Sequence, residues 1–236
     1  QIRGIGERSQ FVNPVNPSVG VLIDDVDFSG TGTIATLMDV QQVEVLRGPQ
    51  GTRYGANALA GLINFSTNEP DEAFFTSVKL SGGEFGTQTA GVVLNVPISE
   101  KFLSRFVFES HESDGYVEND FQDSNTTNDR DELTSRAKFS WQVKKNWSLN
   151  LSLASIDIDN GYDAFSLDNN RHTLSDEPGF DRQNSAYVSL KSSWQLDGMN
   201  IDVLWNQSDS DLDYSYDEDW SFTGIHPWGY TSTDHY

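Results

Sequence analysis

The chain has no cysteine in 236 residues, so it holds no disulfide framework and no thiolate metal site, and cysteine usage says nothing of its redox compartment. It also lacks any apolar run near the roughly 18 residues that a membrane-crossing helix needs. A helical membrane protein is therefore ruled out. A barrel is not, because only alternate residues of a barrel strand need be apolar. Positive charge is scarce too: 15 Lys+Arg stand against 36 Asp+Glu, a net charge of -21. Binding a phosphate backbone takes a basic face, so nucleic acid is not an expected partner. The chain opens on Gln1 rather than Met, shows no signal-peptide pattern, and ends on Tyr236 without an obvious terminal strand. It reads as an internal piece of a longer protein.

What is present falls into two textures. Residues 1–70 carry short strands between Gly/Pro/Asn turns. One is expected over Ser18–Val26, one over Gln42–Leu46 and one over Leu62–Ser66, while Ile34, Leu37 and Met38 fall at helical spacing. This predicts a small α+β unit. Residues 71–236 show long alternating runs, placing about seven strands near 73–83, 86–98, 101–112, 131–143, 146–158, 184–195 and 199–214. In one, Leu133, Ala137, Phe139 and Trp141 oppose Thr134, Arg136, Lys138 and Ser140; in the next, Leu149, Leu151 and Leu153 oppose Asn150 and Ser152. Period-two alternation marks a strand with two unlike faces. Lengths of 10 or more suit tilted membrane-spanning strands, against roughly 5–6 in soluble sheets. Connections at Ser99-Glu100, Lys144-Lys145 and Asp197-Gly198 are tight, whereas those near 113–130 and 159–183 are long and polar. Phe102, Trp141, Trp147 and Trp194 cluster beside the tight turns, as an interfacial aromatic girdle would.

The most informative segment is Val43-Glu44-Val45-Leu46-Arg47-Gly48-Pro49-Gln50-Gly51-Thr52-Arg53-Tyr54-Gly55, continuing to Gly61-Leu62-Ile63-Asn64-Phe65. It resembles the run that closes the plug domain of TonB-dependent outer-membrane receptors. Gln1-Ile2-Arg3-Gly4 and Pro17-Ser18-Val19-Gly20-Val21 resemble earlier plug strands, and Ser81–Ser99 resembles the first barrel hairpin. Asp25 stands where a turn glycine is usual, and Ala60 replaces one of a glycine pair. The resemblance implies a mostly β fold: a fragment of a plugged antiparallel barrel of about 22 strands, with 1–70 as the C-terminal part of the plug and 71–236 as the first wall strands. It further implies active import in the outer membrane of a Gram-negative bacterium, with TonB acting through an N-terminal segment not in this chain. Ferric siderophores are the family's commonest cargo; cobalamin, haem and oligosaccharides are others. Rival readings are a passive porin or adhesin, opposed by the plug-like first 70 residues, and a soluble carbohydrate-binding module, opposed by the one-ended Trp cluster.

Roles follow from the resemblance. Glu44, Arg47, Gly48, Pro49, Gly51 and Arg53 are expected to pack and latch the plug, with Glu44 pairing to Arg105, Arg136 or Lys138 of the wall. Arg8, Gln10, Phe11 and Asn13 of a plug loop are ligand-contact candidates, as are Tyr116, Tyr162, Trp220 and Trp228 of the wall loops; Phe121 and Phe165 join the latter. Loop polarity explains the first group equally well, and self-packing of the loops the second. Asp209, Asp211 and Asp213 alternate on an outward face, where divalent ions could bridge them to lipopolysaccharide or water could solvate them. Gly48–Gly55 lacks the Lys-Ser/Thr of a phosphate loop, and Asp157–Asp163 misses the EF-hand register. The four His are dispersed. Nothing points to catalysis, a cofactor or a resident metal.

Overall fold

Side-chain alternation and short turns, with one four-residue helical turn, build the described part of this chain. The computed structural model describes residue 2 and residues 17–29, 37–54, 57–222 and 229–235. The first elements are β1 (Val19–Ile23), β2 (Val26–Asp27), β3 (Val40–Arg47), the helical turn α1 (Gly51–Tyr54) and β4 (Gly61–Thr67). They form a small sheet in the order β2-β1-β4-β3, with β1 parallel to β4 and β3 antiparallel to it. The single strand expected over Ser18–Val26 is instead a hairpin. Ile23 pairs with Val26 across a two-residue loop, and Asp24 and Asp25 both have positive φ, at 49° and 67°. That is the primed turn whose twist suits a hairpin, and Asp tolerates it without glycine. Leu37–Asp39 is a turn rather than helix, while Ile34 lies outside the described residues.

The wall follows: β5 (Phe75–Gly82), β6 (Gln88–Ser99), β7 (Phe102–Ser113), the short β8 (Glu118–Asn119), β9 (Arg130–Lys144), β10 (Trp147–Gly161), the short β11 (His172–Thr173), β12 (Phe180–Leu196), β13 (Met199–Asp217) and β14 (Gly229–His235). Eight of them make one open sheet in the order β14-β13-β12-β10-β9-β7-β6-β5. Every neighbouring pair is antiparallel. The seven expected strands are all present, and β14 is an eighth. Tight turns gather at one rim. The connections at 83–87, 114–129 and 162–179 lie at the other, as do residues 218–222 after β13.

Register sorts the two faces. Leu153 aligns with Ala137 and Val188, and Leu151 with Phe139 and Leu190. Phe106, Phe108, Trp141, Leu153, Leu190, Val203 and Trp205 are exposed on the face turned away from the small sheet. At the tight-turn rim this face carries the aromatic cluster: Phe102 aligns with Trp141, and Trp147 stacks on Trp194 at 6.3 Å. The other face packs on the small sheet. Ile156, Ile158 and Tyr187 of the wall join Ile23, Val26 and Phe28 in one buried cluster. Phe28 meets Tyr187 edge-on at 5.7 Å.

The longest strands overrun the roughly 9–11 residues that a tilted strand needs to cross a bilayer. On β10 the outward row is Leu149, Leu151 and Leu153, and then Asp157 and Asp159. Beside them lie Asn184 and Arg182, and across β12 Asp211 and Asp213. The outward face therefore turns from apolar to acidic part-way up the wall.

Candidate functional site

Three cations sit on the inner face because their strand parity puts them there, and each reaches the small sheet. Arg105 of β7 grips Asp39 with both arms of its fork, Nε to Oδ2 at 2.7 Å and Nη2 to Oδ1 at 2.5 Å. Both side chains are about nine-tenths buried. Arg136 of β9 donates to the carbonyl of Met38. Lys138, two residues on and so on the same face, donates to Glu69 at 2.8 Å and to the carbonyl of Thr67 at 3.3 Å, and pairs with Asp24 at 3.2 Å. Asp24 in turn accepts the N–H and hydroxyl of Thr67 at 2.8 and 2.7 Å. Further round, Asn206 of β13 donates to the carbonyl of Asp25 at 2.9 Å.

Two more features hold this interface close. Gly91 of β6 leaves room for Met38, whose sulfur would lie 2.5 Å from a Cβ built there. Asn95, fully buried, donates to the carbonyls of Asp71 and Ala73 and accepts the N–H of Asp71, tying the connecting segment to the wall. Between the Lys138 network and the lower wall lies a polar cleft of about 410 Å³, lined by Asp24, Glu69, Lys138, Asn150, Ser189 and Lys191 among others. The interface is thus a set of discrete polar ties beside a polar cleft, together with one apolar cluster.

The expected partner on the small sheet is corrected by this geometry. Glu44 accepts hydrogen bonds from Gln42 and Asn64, at 3.2 and 3.3 Å, while the wall cations bind Asp24, Asp39 and Glu69. Glu44 lies on β3, at the edge of the small sheet, whereas the three acids lie in the turns and connection that face the wall. Arg47 is exposed. Gly48 occupies the left-handed region with φ 98°, which turns the chain before Pro49, whereas Gly51 opens α1 with nothing crowding it. The backbone of Arg53 belongs to α1, and its side chain lies outside the description.

The outer loops form a second locus. Short β8 and β11 pair in parallel, joining loop 114–129 to loop 162–179. Beneath them, one oxygen of the buried Asp163 accepts from Asn119, Thr127 and Thr173, each at 2.8 Å. Three donors replace the water that a buried carboxylate loses. Phe165 stacks on Trp220 at 5.0 Å and meets Tyr162 and Tyr216 edge-on. Phe121 stacks on Phe222, and Tyr116 is exposed. Burial pushes the Tyr162 phenol above its ordinary pKa, with Asp181 and Tyr216 acting in the same direction. Arg8, Gln10, Phe11, Asn13 and Trp228 lie outside the described residues.

Comparison with known proteins accords with this arrangement. Residues 1–62 match the TonB-dependent receptor plug domain. The pesticin receptor of Yersinia pestis is 47% identical over 70 residues, which is 30% of this chain and 10% of that protein. The ferric enterobactin receptor of Pseudomonas aeruginosa is 27% identical over 126 residues, covering 48% of this chain and 17% of that one. Among solved structures, the ferric yersiniabactin uptake receptor of Yersinia pestis superposes with a TM-score of 0.72 at 23% identity, over 85% of this chain and 33% of that one. The ferric-catecholate import receptor of E. coli K12 gives 0.68 at 16% identity, over 92% of this chain and 37% of that one. The chain spans between 10% and 37% of the length of these relatives. Residues 1–62 thus match the plug domain of TonB-dependent receptors, and the two sheets together share the fold of solved outer-membrane receptors.

Proposed function

We propose that the complete receptor imports a ferric siderophore across the outer membrane, with TonB supplying the force that remodels the plug. Residues 1–70 serve as the C-terminal part of that plug and residues 71–236 as the first strands of the barrel. The outward apolar face meets lipid, and the acidic row above it, including Asp209, Asp211 and Asp213, meets lipopolysaccharide through divalent ions. The observation that carries this reading is the tie set of Arg105, Arg136 and Lys138 to Asp39, Met38 and Glu69/Asp24. Such ties can be broken one after another by a pull, and each is costly to break singly, by about 3–5 kcal/mol for a buried pair. An uninterrupted apolar core would give no such sequence of steps.

A siderophore cargo is supported by the names of the relatives, several of which are receptors for iron–siderophore complexes. On this reading Arg8, Gln10, Phe11, Asn13, Tyr116, Tyr162, Trp220 and Trp228 contact the ligand, while Glu44, Arg47, Gly48, Pro49, Gly51 and Arg53 pack against wall strands beyond this chain. The receptor binds and carries; it does no covalent chemistry. The test is uptake of radioiron–siderophore complexes by the full-length receptor in cells lacking other siderophore receptors, with and without TonB. Saturable uptake only with TonB is expected. Uptake indifferent to TonB would point to a passive barrel, and TonB-dependent uptake of cobalamin, haem or oligosaccharide instead would change the cargo.

A further inference from the structure

We infer that the outer loops bind a calcium-class divalent cation between Asp176, Asp217 and Asp219. One carboxylate oxygen from each lies within 4.8 Å of the others. The acids come from two connections that the fold forces together. Gly179 ends loop 162–179 so close to β13 that a Cβ there would lie 1.9 Å from the Ser215 carbonyl oxygen. Phe180 N–H then donates to Ser215 Oγ at 3.2 Å. Asp217 closes β13, and Asp219 follows it.

Proximity of acids alone would mean little, and the state of Asp217 adds the deciding observation. Asp217 is only 7% exposed. Its Oδ1 accepts the N–H groups of Asp219 and Trp220, at 3.0 and 3.1 Å. Its Oδ2 is buried with no hydrogen-bond donor. A buried carboxylate oxygen left bare is costly, and two more carboxylates each bring an oxygen within 4.8 Å of an oxygen of Asp217. Among the described residues, no Lys, Arg or His forms an ion pair with any of the three. Ser175, next to Asp176, likewise has a buried hydroxyl oxygen without a partner. A cation resolves the repulsion and the bare oxygen together.

The donor set identifies the class of ion. All three ligands are hard oxygens, with no imidazole or thiolate, which suits Ca²⁺ or Mg²⁺ rather than Zn²⁺ or copper. An ion bonded at about 2.4 Å can join oxygens up to about 4.8 Å apart, as Ca²⁺ does, with backbone carbonyls and water completing its shell. Bound there, it would pin Asp219 and Trp220 to loop 162–179. Trp220 has φ 56° and stacks on Phe165, so the ion would hold that aromatic stack in place.

The test is calorimetric Ca²⁺ titration of the intact, detergent-solubilised receptor after chelation, with hydrogen exchange over residues 216–222. One site with Kd of about 10⁻⁴–10⁻³ M is expected, the range of extracellular calcium modules, together with at least roughly tenfold slower exchange on Ca²⁺ addition. Asp217→Asn and the more exposed Asp176→Asn should each weaken that site at least about tenfold. A triple Asp209→Asn, Asp211→Asn, Asp213→Asn variant should leave it unchanged. Failure to saturate by about 10 mM Ca²⁺, or equal binding by Asp176→Asn and Asp219→Asn variants that keep the wild-type strand spectrum, would overturn the assignment. This outcome is independent of which cargo the receptor carries.

Discussion

Removing the Lys138 ammonium should loosen the plug edge more than any other single truncation of its network, and the structure says by how much. Lys138 is 6% exposed and serves two carboxylates that differ in setting. Glu69 is 65% exposed, so its pair with Lys138 contributes no more than about 1 kcal/mol. Asp24 is 10% exposed, and breaking a buried pair from one side costs about 3–5 kcal/mol. Asp24 keeps both Thr67 donors, which pulls the figure toward the lower bound, about 3 kcal/mol. That is roughly a hundredfold in an opening equilibrium. Hydrogen exchange of residues 19–27 and 61–67 in the intact receptor reads it directly. Lys138→Ala should speed exchange there about a hundredfold, and Glu69→Ala less than about fivefold. A double-mutant cycle of Lys138→Ala with Asp24→Ala should return a coupling of about 1–3 kcal/mol. Equal effects of Lys138→Ala and Glu69→Ala, or a coupling below about 0.5 kcal/mol, would refute the reasoning.

Other perturbations follow from the same contacts. Arg105→Lys should cost about 1–2 kcal/mol of plug stability, because an ammonium cannot hold both oxygens of Asp39 as the fork does; denaturant midpoints of the plug transition check it. Asp163→Ala should orphan three donors, costing at least about 2 kcal/mol and exposing loops 114–129 and 162–179 to protease while strand content is unchanged. For Tyr162 the folded pKa lies above the ordinary 10.0, so the folded state keeps its proton longer than the unfolded chain. Its contribution to stability is therefore full below about pH 10 and is lost as pH rises through the folded value, and Tyr162→Phe should flatten that fall in alkaline denaturation curves.

How far the fold could be read from sequence depended on what each face of a strand touches. Leu149, Leu151 and Leu153 alternate with polar residues because one face is apolar and the other faces the small sheet and its polar cleft, and that contrast located every central strand. The strand ends were less legible. β10 runs on to Gly161 and β12 begins at Phe180, beyond the expected limits of 158 and 184. There the outward residues become Asp157, Asp159 and Arg182, so hydrophobic alternation fades although backbone pairing continues. β14, with the sequence Gly-Tyr-Thr-Ser-Thr-Asp-His, never shows the contrast at all. In the plug, the Asp24-Asp25 turn was hidden because no glycine marks it.

The interface was legible from one side only. Parity places Arg105, Arg136 and Lys138 on the inner face, and 15 basic residues make each cation conspicuous. Their partners are three of 36 acids, Asp24, Asp39 and Glu69, with the carbonyl of Met38, and turn residues carry no parity to select them. Glu44 was the more visible choice because it lies in a strand with recognisable neighbours. Nor does sequence spacing reveal the approach of Asp176 to Asp217, which depends on Gly179 meeting β13.

The plug segment is tied to the wall's inner face, and the proposed import requires TonB to remodel those ties for cargo to pass. These 236 residues hold no cysteine, so one measurement is direct: Asp39→Cys and Arg105→Cys joined by a short, cleavable bis-thiol reagent in the full-length receptor, with any cysteine elsewhere in it replaced by serine. Siderophore binding at the outer face should persist while TonB-dependent iron uptake stops, and cleavage of the linker should restore uptake. Uptake at the uncrosslinked rate with the linker fully formed would contradict the account.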